Sequence, residues 1–212
     1  MNSPAAAIKR GVLAVAAVLL LPAAASAGWA RNWDSIRQAM STVHSVSARF
    51  TQKKNLKILD RPLTSYGTFH YRAPGDLRWE YLSPIKDVLL VHGDNVAKYT
   101  WNGSRLARDR GPQIEATRVV MEQIASWLRG DFKDNRAFVP GLQPGHPVRV
   151  VLVPAGNSLK EFIVRVTLTL SDTPGVIASI EIAEPGGSST VIAFSRVELN
   201  TDIPDSVFES VK

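Results

Sequence analysis

From residue 45 onward, apolar and polar side chains alternate along most of the chain with a period of two. The clearest example runs from Lys160 to Leu170, where every second residue from Phe162 is apolar and most of the others are polar. Because successive side chains of a strand point to opposite faces of a sheet, this pattern predicts half-buried β-strands. Strands are predicted at about 45–51, 64–72, 77–82, 87–92, 96–101, 104–108, 148–153, 160–170, 176–183 and 189–199.

Short connections join most of these strands. Turn-forming pairs or triplets occur at Pro74-Gly75, Ser83-Pro84, Gly93-Asp94-Asn95 and Asn102-Gly103. Such connections suit antiparallel hairpins and leave no room for the crossovers that parallel strands require. In the last strand the apolar parity changes after Phe194, which predicts a β-bulge near Ser195-Arg196. A sheet of about ten to eleven strands must curl or split to bury its apolar face.

Two segments have helical rather than strand periodicity. The first lies between Trp29 and Val43, where apolar residues recur at helical spacing and Asp34 suits the first turn. The second runs from Ile114 to Phe132, where Val120, Ile124, Trp127 and Leu128 share one face of a helix of about four turns. The stretch from Pro140 to Pro147 is rich in proline and glycine and is predicted to be a loop. The fold class is therefore α+β, mainly β, with one large antiparallel sheet.

The first 27 residues have the features of a cleaved leader. Lys9 and Arg10 precede an apolar run from Gly11 to Leu21, and Ala25-Ser26-Ala27 matches an A-x-A cleavage site. The apolar run is shorter than the roughly 20 residues that span a bilayer, although an uncleaved anchor is the alternative interpretation. We expect residues 1–27 to be a signal peptide and residues 28–212 to form a single domain.

Composition limits the class of protein further. The chain contains no cysteine, which excludes disulfides, thiolate ligands, thiol nucleophiles and an acylated cysteine anchor. The net charge is +6, and its basic residues are scattered along the chain. The densest cluster, Arg105, Arg108 and Arg110, fits either a solvated face or a transient contact with an anionic membrane or acidic partner. No motif for binding nucleic acid is present.

No catalytic or metal-binding motif is recognisable. The four histidines lie far apart and have no second ligand at a metal-binding spacing. The chain also lacks a nucleophile elbow and a phosphate-binding glycine loop. We predict that the protein is not an enzyme and has no metal or cofactor, and a site assembled from distant residues remains the alternative.

An aromatic face runs along two neighbouring strands. Phe69 and Tyr71 share one face of the first strand, and Leu77, Trp79 and Tyr81 share one face of the second. Such residues form either the core of a β-sandwich or the wall of an apolar binding site.

The chain resembles the LolA-type periplasmic outer-membrane lipoprotein carriers in a series of blocks that keep the family's order and spacing. The blocks are residues 48–52 (ARFTQ), 66–69 (YGTF), 74–84 (PGDLRWEYLSP), 194–200 (FSRVELN) and 203–208 (IPDSVF). The resemblance implies an unclosed antiparallel barrel whose helices form a lid over the concave apolar face. The residues expected to line a lipid-binding cavity are Phe50, Phe69, Tyr71, Leu77, Trp79, Tyr81, Val120, Ile124, Trp127 and Leu128.

The resemblance also implies a function. LolA-type carriers are monomeric periplasmic proteins that take acylated lipoproteins from an inner-membrane export complex to an outer-membrane receptor. The expected cargo is an acylated lipoprotein or another acylated amphiphile. The alternative is a receptor or scaffold that binds a protein partner with the same curved sheet.

One position differs from the family pattern. LolA-type carriers have an arginine immediately before the proline of the third block, where it fastens the lid to the barrel. This chain has Ala73 there, and strand alternation turns the neighbouring Arg72 to the other face. Ala73 is therefore the position at which lid control is expected to differ.

Overall fold

A computed structural model describes residues 28–93, 95–109, 122–209 and 211, and within these ranges one antiparallel sheet of eleven strands dominates the molecule. The strands are β1 (Ser45–Asn55), β2 (Leu63–Arg72), β3 (Asp76–Ser83), β4 (Asp87–His92), β5 (Asn95–Trp101), β6 (Leu106–Arg108), β7 (Phe138–Gln143), β8 (Arg149–Pro154), β9 (Arg165–Leu170), β10 (Ile177–Ala183) and β11 (Ser189–Leu199). The predicted mainly β fold is confirmed.

The order of strands makes the sheet an open barrel. Each strand pairs with its neighbours in sequence, except that β1 pairs with both β2 and β11. The two edges are therefore β6 and β7, which follow one another in the chain but are not paired. The described part of the segment between them, mainly residues 122–137, carries the helix described below. The prediction of an unclosed antiparallel barrel is confirmed.

The pairing of β1 with β11 contains the predicted β-bulge. Ser47 lies opposite Glu198 but Arg49 lies opposite Ser195, so β11 has one extra residue in this interval. Arg196 has a φ of 51°, a left-handed conformation that takes up the extra residue. The bulge changes the parity of β11, so that Phe194 and Val197 can both contribute to the concave face.

Strand β7 was predicted to be part of a loop because it contains Pro140 and Gly141. Proline is tolerated in a strand where its missing N–H would face an open edge. The N–H of Ala155 donates to the carbonyl of Ala137, which makes this opposed pair a hydrogen-bonded one. Because hydrogen-bonded and non-hydrogen-bonded pairs alternate, the nitrogen of Pro140 points away from β8, towards the free edge. The prediction of a loop was wrong for this reason.

Strand β9 begins later than its alternation predicted. Residues Asn157–Lys160 form a short helix, α3, and β9 starts only at Arg165. Phe162 and Val164, which share the parity of the buried Val166, are exposed. Alternation specifies which side chains share a face, but β9 begins only after these two positions, so neither side chain is covered.

The first helix, α1, spans Trp33–Ser41 and covers one end of the barrel. Asn32 and Ser35 form a capping box, which satisfies free backbone N–H groups at its start. Ile36 and Met40 are buried, as the predicted apolar face requires. Val43, just after the helix, lies so close to the β9–β10 connection that a Cβ on Gly175 would overlap it.

The described part of the second helix, α2, covers residues 122–128. Gly130 has a φ of 75°, its N–H donates to Trp127, and the N–H of Asp131 donates to Ser126. These bonds form a Schellman motif, which ends the helix four residues before the predicted end. Phe132 therefore lies beyond the helix, fully buried against α1 and 5.9 Å from the ring of Trp33. The part of the prediction that covers 114–121, including Val120, lies outside the described residues.

The C-terminal segment packs on the convex face of β3 and β4. Its short helix, α4 (Ser206–Glu209), buries Phe208, while Val88 and Leu90 are buried on the strand beneath. Arg72 donates to the carbonyl of Ile203, and Arg78 donates to that of Val207. Part of the convex surface is therefore covered by the chain itself.

The predicted leader, residues 1–27, lies outside the described residues. Within the described ranges, every helix is too short or too polar to cross a membrane.

Candidate functional site

An aromatic cluster fills part of the concave face. Phe50 of β1 packs against Trp79 and Tyr81 of β3, with ring centroids 4.7 Å and 5.2 Å away. Phe69 and Phe194 also contact Trp79, at 5.3 Å and 6.1 Å. These rings form a continuous core across four strands.

Gly67 allows this cluster to form. It lies opposite Phe50 in the β1–β2 pairing, and a Cβ at this position would overlap both the Phe50 ring and the carbonyl of Glu80. The missing side chain leaves the space into which the ring folds.

A cavity of about 450 Å³, including its open mouth, lies between α2 and the concave face of the sheet. Helix α2 forms one wall, and β1, β2, β10, β11 and the β9–β10 connection form the others. The lining residues are Val46, Ala48, Phe69, Ile124, Trp127, Leu128, Gly175, Val176, Ile177, Ile180, Phe194, Val197 and Leu199.

The predicted cavity residues divide into two groups. Phe69, Ile124, Trp127 and Leu128 line the cavity. The others that the structure describes lie in the core or beside it and do not line it; they are Phe50, Tyr71, Leu77, Trp79 and Tyr81. A ligand-binding role for the predicted residues stays a prediction.

Sequence reasoning missed the walls that come from β1, β10 and β11. Their inward parity could be read from the alternation, and Ile177 and Ile180 lie in a strand that was predicted. The missing information was the pairing of β1 with β11, which brings the first and last strands together and gives the strand order β2-β1-β11-β10. No local pattern specifies such a distant pairing.

The cavity wall offers almost no polar groups. Every side chain in the described lining is apolar except Trp127, whose indole carries one N–H. That N–H is itself buried and has no hydrogen-bond partner among the described residues, and the indole N–H of Trp79 in the aromatic cluster is in the same state. Because the buried N–H presents almost no surface to the cavity, the accessible wall is apolar.

The phenols near the cavity are neutral at physiological pH. Burial raises the pKa of Tyr71, although the nearby Arg129 opposes the rise. Burial also raises the pKa of Tyr81, whose hydroxyl donates to the Oε1 of Gln52 at 2.9 Å. No group of three potential metal ligands is present among the described residues.

The loop that follows β2 contacts the end of α2. Ala73 is exposed and does not reach the helix, but Arg129 Nη1 donates to the carbonyl of Pro74 at 3.2 Å. The Nε of the same guanidinium donates to Asp131 at 3.0 Å, and the hydroxyl of Tyr71 approaches the Pro74 carbonyl at 3.5 Å. The arginine thus comes from the helix side, whereas the resemblance implied an arginine from the barrel side.

Fold and cavity together define an open-barrel protein with an apolar internal pocket under a helix. A family model described as outer membrane lipoprotein carrier protein LolA matches residues 41–211. The chain therefore belongs to the LolA family, and the predicted resemblance is confirmed.

Two relatives are outer-membrane lipoprotein carrier proteins. The one from Neisseria gonorrhoeae is 31% identical over 205 residues, which cover 93% of this chain and 89% of the relative. The one from Dechloromonas aromatica is 25% identical over 203 residues, covering 95% of this chain and 92% of the relative. A solved structure of a DUF1329 family protein from Desulfovibrio piger shares the fold, with a TM-score of 0.50 and 13% identity over 82% of this chain and 92% of that one.

Proposed function

We propose that this protein is a periplasmic carrier that binds the acyl chains of lipoproteins, or of a related acylated amphiphile, in the cavity beneath α2. It takes this cargo from the inner towards the outer membrane, between an export complex and a receptor. Its function is binding and transport rather than catalysis, and it acts as a monomer. The apolar wall of the cavity, in a chain of the lipoprotein-carrier family, is the observation that carries the proposal.

The energetics of acyl chains explain why a carrier is required. Each buried methylene contributes about 0.8 kcal/mol, so a chain of about fourteen methylenes loses roughly 11 kcal/mol when it leaves a bilayer for water. An apolar cavity recovers much of this free energy. Because the wall has no charged side chain among its described residues, it selects for apolar volume rather than for a particular headgroup.

Filling the cavity tests the proposal. Ala48→Leu adds three carbon atoms to a lining residue of β1, so the affinity for a fluorescent acyl ester should fall about tenfold or more. Ala193→Leu makes the same change at an exposed position of β11 and should leave the affinity unchanged. Probe titrations and thermal melts of both variants and the wild type measure the effect.

The outcomes separate the carrier from the alternative of a protein receptor. A carrier should bind the acyl ester, and only Ala48→Leu should weaken binding. Folded wild-type protein that does not bind the ester, or equal losses in both variants, would contradict a carrier function. Binding of a protein partner without probe binding would instead favour the receptor.

A further inference from the structure

Three loops lie together at one end of the barrel. Residues 56–62 join β1 to β2, residues 84–86 join β3 to β4, and residues 102–105 join β5 to β6. In an antiparallel sheet with neighbouring strands in sequence order, alternate connections emerge at the same end. We call these three loops the β1–β6 rim.

The β1–β6 rim exposes large apolar side chains. Ile58 is 89% exposed and Ile85 is 65% exposed, on two different loops. Leu59, Leu63, Leu82 and Trp101 are exposed on the same loops or the adjoining strand ends. At the other end, the described connections at 73–75, 144–148 and 171–176 expose no large apolar side chain. The asymmetry indicates that one end of the barrel meets an apolar partner.

The charge of the β1–β6 rim is strongly one-sided. Its loops contain four cations, Lys57, Arg61, Lys86 and Arg105, and a single acidic residue, Asp60. Within the described part of the chain, Lys57, Arg61 and Arg105 form no ion pair. Lys86 lies over the ring of Trp101 at 5.5 Å, so one cation is held beside an exposed aromatic ring.

We propose that the β1–β6 rim docks on the surface of an anionic lipid bilayer. Ile58 and Ile85 enter the interface between headgroups and acyl chains, while Lys57 and Lys86, each next to one of them in sequence, contact lipid phosphates. In this orientation Trp101 lies at the membrane–water interface, where tryptophan is enriched in membrane proteins. Cations beside apolar tips, with one opposing carboxylate, match a negatively charged surface.

The arrangement favours a bilayer over a protein partner. The apolar tips stand on loops about two strand spacings, or roughly 10 Å, apart, and polar or charged residues separate them. A protein partner would need a pocket at each tip, whereas a fluid interface accepts separate tips without matched pockets. The cavity beneath α2 takes no part in this contact, so the docking does not depend on the proposed cargo.

Vesicle binding tests the docking directly. The purified protein is incubated with vesicles of phosphatidylcholine alone or of phosphatidylcholine and phosphatidylglycerol in equal parts, and the bound fraction is measured by flotation. Binding is expected on the anionic vesicles and should fall as salt is added. In the double variant Ile58→Ser with Ile85→Ser, binding should be weaker by a factor of about ten or more.

Two charge variants supply the matched comparison. Lys57→Gln with Lys86→Gln should lower binding to the anionic vesicles about tenfold, since each cation near the surface contributes to attraction. Lys133→Gln with Arg149→Gln removes the same charge from exposed positions away from the β1–β6 rim and should bind like the wild type. All these side chains are exposed, so thermal melts should coincide.

The proposal is overturned if the wild type does not bind anionic vesicles, or if the two charge variants lose binding equally. Binding of the acyl ester should be unchanged in every rim variant. A failure of the docking is therefore distinguishable from a failure of the carrier function.

Discussion

At the scale of single residues, Asp76 connects three parts of the convex surface. Its carboxylate accepts from Arg72 Nη2 at 2.7 Å, from His92 Nδ1 at 2.9 Å and from the N–H of Gly93 at 3.3 Å. Burial alone would raise the pKa of Asp76, but these hydrogen bonds hold it below its ordinary value. Arg72, fixed in this way, contacts Ile203 of the C-terminal segment.

The lowered pKa predicts how stability depends on pH. A carboxyl whose pKa is lowered on folding stabilises the protein above its unfolded pKa of about 3.9, and this contribution is lost as the pH falls through the folded value. Asp76→Asn should therefore lower the free energy of unfolding by about 1–3 kcal/mol at neutral pH. The difference from the wild type should shrink as the pH falls below about 4. Urea unfolding at a series of pH values measures both effects.

Asp134→Asn provides the control for this prediction. Asp134 pairs with Arg37 at 3.0 Å, but both side chains are largely exposed, so the pair contributes little. Its loss should leave the unfolding curve nearly unchanged. An Asp76→Asn deficit that persists unchanged into acid would contradict the role assigned to the carboxylate.

At the scale of elements, the contact between α2 and the β2–β3 loop determines how firmly the helix covers the cavity. Arg129 follows the last helical residue and holds the Pro74 carbonyl. Arg129→Met removes this bond and keeps much of the side chain's length. Because the guanidinium is partly exposed, we expect a loss of about 1 kcal/mol, which corresponds to roughly fivefold faster release of a bound acyl probe.

The release rate is measured by stopped-flow displacement. Arg136→Met changes an exposed arginine that makes no contact with the loop and should release the probe at the wild-type rate. Ala73→Arg in the Arg129→Met background places a guanidinium on the barrel side of the same gap, and it should slow release again. Unchanged release in Arg129→Met protein that remains folded would contradict the contact's role.

Local sequence patterns predicted most elements because each depends on neighbouring residues. The helical spacing of α1, the hairpin turns and the parity change near Ser195 are all short-range signals. The wrong assignments arose where tertiary position overrides such signals. Pro140 is compatible with a strand only because β7 is an edge, and Phe162 departs from the predicted strand because the sheet ends before it.

The cavity was harder to predict for the same reason. Aromatic residues on β2 and β3 were the strongest local signal, but Phe50 and Trp79 pack against one another and fill their part of the barrel. The open space lies where β11 meets β1, beneath α2, and most of its lining residues are ordinary aliphatic side chains. Their composition does not distinguish a wall from a packed core.

At the scale of the whole molecule, an unclosed barrel has to protect two free edges. An exposed edge presents unpaired N–H and C=O groups that can pair with another chain. Strand β6 is only three residues long, which limits the pairing that it can offer. Strand β7 has six residues, so its protection depends on Pro140, which removes a donor from the edge. The same openness leaves room for α2 to cover the cavity.

Restoring this donor should make the molecule self-associate. In Pro140→Val, the new N–H points away from β8, beside the exposed Val139, and gives the edge a continuous row of hydrogen-bonding groups. Valine also favours strand conformation, so two β7 edges can pair across a twofold axis. Sedimentation velocity over a concentration series should show dimers of the variant where the wild type remains monomeric. Pro144→Val, which makes the same exchange in the β7–β8 loop, should stay monomeric. A folded Pro140→Val protein that remains monomeric at every concentration would show that this proline does not protect the open edge.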